Sequence, residues 1–212
     1  MKHIKKSKEP KTIEECRTTP GSSYDDLRKA EVREVLLADQ GHICCYCMQR
    51  IKDETMQIEH WEARSDKPEL QLDWMNMLGV CPGNEKQPKE LRHCDESRGN
   101  QKLTLNPADP HKNCEDFIKY NSSGKISSDD STIDYELDQI LRLNIQTHKE
   151  NRQAVIDAAI SALNKIHPRQ TWSKTSIERE MKKWEKRNSE NKYQPYCQAA
   201  ISYLKKRVEV KT

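Results

Sequence analysis

The sequence predicts an α+β fold: a small cysteine-rich finger flanked by helices and followed by a mainly helical C-terminal region. Three observations carry this. Cys44, Cys47, Cys81 and Cys94 lie close together along the chain, the first two as a C-x2-C pair. Apolar residues recur at helical spacing before that segment and again after residue 134, and a turn-forming Asn121-Ser122-Ser123-Gly124 stands between two short β-prone runs.

Residues 1–22 read as an arm for docking on a partner, since Lys and Glu alternate with Pro10 and Pro20 and no period persists. Ser23 is a good N-cap for a helix over 24–40, with Leu27, Ala30, Val32, Val35, Leu36 and Leu37 broadly on one face and Gly41 as its stop. That helix leads into the cysteines, and 23–110 is read as one unit whose strand-like exit is Leu103-Thr104-Leu105-Asn106-Pro107. Residues 111–133 form a hairpin and a polar linker from Ser127 to Ser131, with no chemistry of their own. From 134 to 212 the pattern is helical: Leu137, Ile140, Leu141 and Leu143, then Val155, Ile156, Ala159, Ile160 and Leu163, with Pro168 as a stop. Two further amphipathic helices follow between 171 and 210, carrying Trp172, Ile177, Met181 and Trp184, then Tyr196, Ala200, Ile201, Tyr203 and Leu204.

The C-x2-C loop lets Cys44 and Cys47 reach one metal, and Cys81 and Cys94 supply the other half of a closed, structural zinc site. The plain alternative is buried or disulfide-forming thiols. Such a zinc has no open position for water, so any chemistry must come from residues between the pairs. Cys45 packs against the knuckle, and Cys16, Cys114 and Cys197 read as small buried hydrophobes.

Met56-Gln57-Ile58-Glu59-His60-Trp61, then Leu72-Asp73-Trp74-Met75-Asn76-Met77-Leu78, then His93-Cys94-Asp95, follow an order that resembles the HNH endonucleases. The resemblance implies a ββα-metal finger in which His60 is the general base, Asn76 fixes the loop behind it, and Asp95 ligates a catalytic Mg2+ or other divalent cation. Glu59 becomes a plausible second ligand, and Arg98, which precedes Gly99, a contact to a substrate phosphate. The residue types suit phosphodiester hydrolysis: imidazole is a base near neutral pH, and a hard cation takes carboxylate oxygens and keeps much of its water. His93 has three readings: substrate contact, a metal position, or a cap on the next helix. Two features depart from the family pattern. Asp95 stands where histidine or asparagine is common, and residues 82–92 separate Cys81 from His93-Cys94.

Lys8-Glu9-Pro10-Lys11, Pro20-Gly21-Ser22-Ser23-Tyr24 and Asn76-Met77-Leu78-Gly79-Val80-Cys81, in order with the motifs above, narrow the resemblance to the PtuB nucleases, as far as about Asn151. It implies a toxic effector in a Septu or retron-linked anti-phage defence system, controlled by a PtuA-like ATPase and in some systems joined by a retron reverse transcriptase with its reverse-transcribed DNA. The chain has no G-x4-G-K-[ST] phosphate loop, so a nucleotide would belong to the partner.

Each site residue also has a structural alternative. His60 ends a strand and can be merely hydrogen-bonded, Asn76 can be a turn former, and Arg98 on spacing alone is a surface charge. A zinc-ribbon adaptor that binds nucleic acid or protein without cleaving therefore stays open, although it gives no reason for Glu59-His60 and Asp95. DNA and a structured RNA such as tRNA fit the chemistry equally, because both carry the phosphodiester backbone.

The 212 residues are 33% hydrophobic and 33% charged, with a formal net charge of +3. The charge is uneven: residues 165–212 hold 13 Lys and Arg against five Glu, and the rest of the chain 24 against 29 acids. A basic helical run is an ordinary solvated face, yet it can also draw in a nucleic acid. No apolar run approaches the length of a membrane span and the first residues lead into no signal-like core, so a cytoplasmic protein is expected. A core this small leans on metal or on a partner.

Overall fold

The computed structural model describes residues 1–168 and 171–209, a mixed α+β chain, mostly helical, with two small antiparallel sheets. Among the described residues no helix is long and apolar enough to cross a membrane.

The N-terminal segment differs from the expected arm. It contains helix α1, Lys11–Thr18, and Met1, Ile4 and Ile13 are buried. The Ile4 amide donates to the Pro107 carbonyl (2.8 Å), Lys6 to the Met77 carbonyl (2.6 Å), and the Trp74 indole to the Ser7 carbonyl (3.0 Å). The segment thus straps the finger of its own chain. Its helix buries only Thr12, Ile13 and Cys16, too few apolar positions to show a period.

Ser23 does act as a cap, accepting from the Asp25 amide while its own amide donates to the Asp26 carboxylate. The turn it caps ends at Asp26, however: Leu27 is extended (ψ 134°) and buried, and α2 runs only over Lys29–Gln40. The expected single helix is broken because Leu27 reaches the core better from an extended backbone.

Strands β1, Gln57–His60, and β2, Met77–Val80, pair antiparallel with His60 opposite Met77. The buried Gln40 of α2 fixes this hairpin. Its amide nitrogen donates to the Gly79 carbonyl (2.8 Å) and its oxygen accepts from the Gly79 amide (2.6 Å), so both backbone groups of one β2 residue are satisfied by a side chain. One helical turn, α3, Asp95–Arg98, follows.

β3, Lys119–Tyr120, and β4, Ile126–Ser127, make the second hairpin. Asp130 then caps α4, Ser131–Tyr135. The helical stretch expected from 134 to 166 is interrupted: a wide π turn covers Glu136–Ile140, and α5 is Gln146–Ile166. The buried Glu136 carboxylate, which accepts from the Thr104 amide (2.8 Å) and hydroxyl (2.7 Å), anchors the wide turn. Helices α6, Lys174–Glu185, and α7, Cys197–Glu209, pack with α5, and Trp172 and Trp184 lie partly buried against the core.

This C-terminal region is tied to the finger by backbone bonds. Cys94 donates to Leu141 (2.9 Å), Tyr196 to Met48 (3.2 Å) and Tyr193 to Gly41 (2.9 Å). Among the described residues, side-chain bonds such as those from Arg187 to the Ala38 and Asp39 carbonyls cross the expected boundary between finger and helices as well.

Candidate active site and metal centre

The first half of the metal centre is a tight knuckle. Cys44 donates from its amide to the Gln49 carbonyl, Met48 donates back to Cys44, and Ile43 bridges Arg50. Met48 takes a left-handed backbone (φ 67°), which turns the chain so that both thiols face one point. The second half must bring Cys81, at the end of β2, back to Cys94. Residues 82–92 loop out and return through a bond from the His93 amide to the Gly83 carbonyl (3.0 Å). A Cβ at Gly83, φ +54°, would sit 2.3 Å from the His93 carbonyl oxygen, so only glycine allows this closure. The long spacing between Cys81 and Cys94 is thereby absorbed.

All four thiols are buried and within 4.8 Å of one another, a set that could hold a metal such as zinc. Cys44 and Cys94 are 3.9 Å apart, and Cys47 and Cys81 3.8 Å. Zinc–sulfur bonds of about 2.3 Å in a tetrahedron give sulfur–sulfur edges of about 3.8 Å. Burial works against a thiolate here, yet Cys44 is held well below the ordinary thiol range by the surrounding Cys45, Cys47, Cys81 and Cys94. Burial and the neighbouring thiols push Cys47 and Cys94 well above that range, so the metal-free cluster favours charge on Cys44, and a bound cation would displace the remaining thiol protons. Cys16, Cys45, Cys114 and Cys197 are all buried and unbridged.

His93 belongs to this neighbourhood and is only 2% exposed. Its Nδ1 lies 3.2 Å from the Cys94 sulfur, and its ring meets that of His148 edge-on, centroids 4.3 Å apart. Burial lowers its basicity. His93 lies beside the four cysteines and is absent from the walls of the cleft formed by Glu59, His60 and Asp95.

No protein-family model matches this chain, and no curated protein does.

A separate cleft of ≈520 Å³ has Glu59, His60, Arg64, Asp95 and Asn100 in its walls. Strand β1 delivers Glu59 and His60 to it, and Cys94, just before α3, delivers Asp95. The metal centre therefore fixes one wall of the cleft through the peptide bond between Cys94 and Asp95.

Glu59 is buried, and Arg98 contacts one of its carboxylate oxygens, Oε1, directly. The Tyr46 hydroxyl, 3.2 Å from the same oxygen, is held in turn by Arg98 (3.0 Å). Arg98 also donates to the carbonyls of Trp61 and, at 2.8 Å, Gln101. This corrects both expectations for Arg98. It is neither a surface charge nor turned toward the cleft: it is 2% exposed, and its guanidinium is enclosed by protein acceptors. A buried guanidinium needs acceptors on every side, and Arg98 finds them in Glu59, Tyr46 and the carbonyls of Trp61 and Gln101. Burial first, and the neighbouring Asp95 carboxyl second, push Glu59 up to about 9 against the pull of Arg98. Two adjacent carboxyls that resist shared negative charge accept either a proton or a cation. Oxygen donors of this kind fit a hard divalent ion.

His60 points an edge at the Tyr24 ring, centroids 4.6 Å apart, and its Nε2 lies 3.0 Å from the Gln71 carbonyl oxygen. Burial, only partly offset by that carbonyl, lowers its basicity below the ordinary histidine value, so the ring is neutral at pH 7. Among the described residues, Asn76 makes no side-chain hydrogen bond to His60. Its Oδ1 accepts from the Glu62 amide (2.7 Å) and its Nδ2 donates to the carbonyls of Glu62 (3.0 Å) and Leu70 (3.2 Å). It clamps the two ends of the loop that carries Gln71.

Sequence reading missed Tyr24, Tyr46, Gln71 and Arg64 as parts of this site. Gln71 acts through its backbone, which no residue type signals. Arg64, exposed at the cleft, stacks over the Tyr24 ring at 4.5 Å and pairs with Asp25 at 3.4 Å.

Proposed function

We propose that this protein is a metal-dependent HNH endonuclease that hydrolyses phosphodiester bonds in DNA or in an RNA such as tRNA. The observation that carries the reading is that Glu59, His60 and Asp95 meet in one open cleft beside, but separate from, the four-cysteine centre.

The chemistry follows from the side chains. Donation from Nε2–H to the Gln71 carbonyl leaves the lone pair on Nδ1 of His60, a neutral base able to take a proton from water as the water oxygen attacks phosphorus. The Tyr24 ring and the Asn76-clamped loop hold the imidazole in one orientation. A divalent cation bound by Asp95 and Glu59 would supply positive charge beside the leaving oxygen. Arg64, in the cleft wall, would meet a substrate phosphate, the role the family resemblance implied for Arg98. Zinc in the four-cysteine centre would be structural.

The resemblance to the PtuB nucleases supports the biological reading: a cytoplasmic anti-phage effector restrained by a PtuA-like ATPase, with a retron reverse transcriptase and its DNA as a further partner. The basic stretch after residue 165 supports a nucleic-acid partner.

One observation favours the adaptor reading: His60 is only 8% exposed and is bonded to a backbone carbonyl, as a structural histidine would be. Cleavage of plasmid DNA and total tRNA by the purified chain, alone and with its ATPase, with Mg2+ or EDTA, separates the two. The nuclease reading expects Mg2+-dependent cutting that disappears in His60→Ala and Asp95→Ala. A folded, zinc-bound chain that cuts neither substrate under any condition would leave the adaptor.

A further inference from the structure

The metal centre has more donors than one zinc can use. Besides the four-thiol set, Cys47, Cys94, His93 and His148 form a second buried group whose donor atoms all lie within 4.8 Å of one another. The two sets share Cys47 and Cys94. His148, on α5, is 2% exposed. Its Nδ1 faces the Tyr196 hydroxyl at 3.3 Å, while its Nε2 is buried with no hydrogen-bond partner among the described residues. A buried imidazole nitrogen without a partner is costly, and among thiols its natural partner is a metal ion.

We propose that this chain holds two zinc ions that share the Cys47 and Cys94 thiolates. Cys44 and Cys81 complete the first ion, and His93 and His148 the second. A thiolate sulfur has lone pairs for two metals, so an edge-sharing pair of tetrahedra needs no further residue. Four thiolates and two divalent ions cancel in charge with both imidazoles neutral, and the thiol protons leave as the ions bind. His148 comes from the helical region, so the second ion would pin that region to the finger, beside the bond from Cys94 to Leu141. This inference concerns the cysteine centre and is independent of the nuclease reading.

The test is the metal content of the full chain after dialysis against a weak chelator, with the 113Cd NMR spectrum of the cadmium-substituted protein. Two zinc ions per chain are expected, with two cadmium signals, one from an all-sulfur site and one from a mixed sulfur–nitrogen site. His148→Ala and His93→Ala should each fall to one ion and keep the all-sulfur signal. One ion per wild-type chain would overturn the proposal, leaving the imidazoles as hydrogen-bond donors to the thiolates. Two ions retained in both variants would overturn it equally. If a variant does not fold, the two wild-type signals still decide the matter, because a nitrogen-ligated cadmium requires an imidazole.

Discussion

His60 Nε2 lies 3.0 Å from the Gln71 carbonyl oxygen. A carbonyl only accepts, so the proton is on Nε2 and the basic nitrogen is Nδ1. A backbone group thus selects the tautomer, and the loop that carries it is clamped by Asn76.

His60→Ala is therefore expected to lose about 10²- to 10⁴-fold in cleavage rate, the usual worth of a positioned general base. Zinc content and the circular dichroism spectrum should stay as in wild type. The acid limb of the wild-type rate should have its midpoint below 6.5, because burial lowers the histidine. A limb above that value would assign the base elsewhere.

Asn76→Ala leaves the Glu62 amide and the Glu62 and Leu70 carbonyls without their side-chain partner. About 1–3 kcal/mol of stability should be lost in urea unfolding. Activity should fall further than stability alone explains, because Gln71 moves with the loop. Asn76→Asp restores only the acceptor and should recover only part of both.

Much of this was legible in the sequence, and the remainder follows one logic. The C-x2-C spacing located half of the buried four-cysteine cluster, Gly41 marked the end of α2, and Asn121 to Gly124 marked the second hairpin, since each is a local signal. The single helix expected from Tyr24, the N-terminal arm without a helix and the exposed Arg98 all gave way for tertiary reasons. Leu27 leaves helical geometry to reach the core, Ile13 and Cys16 bury a helix too short to show a period, and Arg98 turns in to the buried carboxyl of Glu59, 39 residues away in sequence. Gln71 was invisible because its contribution is a carbonyl that every residue carries.

Glu59 gives a pH prediction for the Mg2+-free protein. Its folded value is raised from 4.5 to about 9, so between those values the folded chain holds a proton that the unfolded chain has released. Stability is then fully present below 4.5 and falls as pH rises toward 9. Thermal unfolding from pH 5 to 9 should show that decline, Glu59→Gln should flatten it, and added Mg2+ should also flatten it by replacing the proton. A decline that Mg2+ leaves unchanged would argue against a cation at Glu59 and Asp95.

Cys44→Ser tests whether the metal centre holds the fold. Structural zinc is worth about 10–16 kcal/mol of apparent binding energy, as much as the ~5–15 kcal/mol net stability of a whole domain. Loss of one thiolate from a closed four-sulfur site should therefore unfold the finger rather than loosen it. Protein made without zinc should show the same collapse in circular dichroism, and zinc should restore the wild type but not the variant.

Gly83→Ala probes the closure between Cys81 and Cys94 without touching a ligand. An alanine at φ +54° costs about 1–2 kcal/mol in backbone energy. The new Cβ would also stand 2.3 Å from the His93 carbonyl oxygen and 2.7 Å from the Glu96 Cβ, so the loop must open. Opening breaks the bond from His93 to Gly83 and moves Cys94 from the other three sulfurs, carrying Asp95 with it. Zinc affinity, read by competition with a chromogenic chelator, should fall at least tenfold, and Mg2+-dependent cleavage should fall with it. Gly21→Ala is the control: φ is +80° with nothing within 4 Å of the added Cβ, so it should cost the backbone energy alone and leave zinc affinity unchanged. Equal effects of the two alanines would mean that the contact of Gly83 with His93 does not hold the two cysteines together.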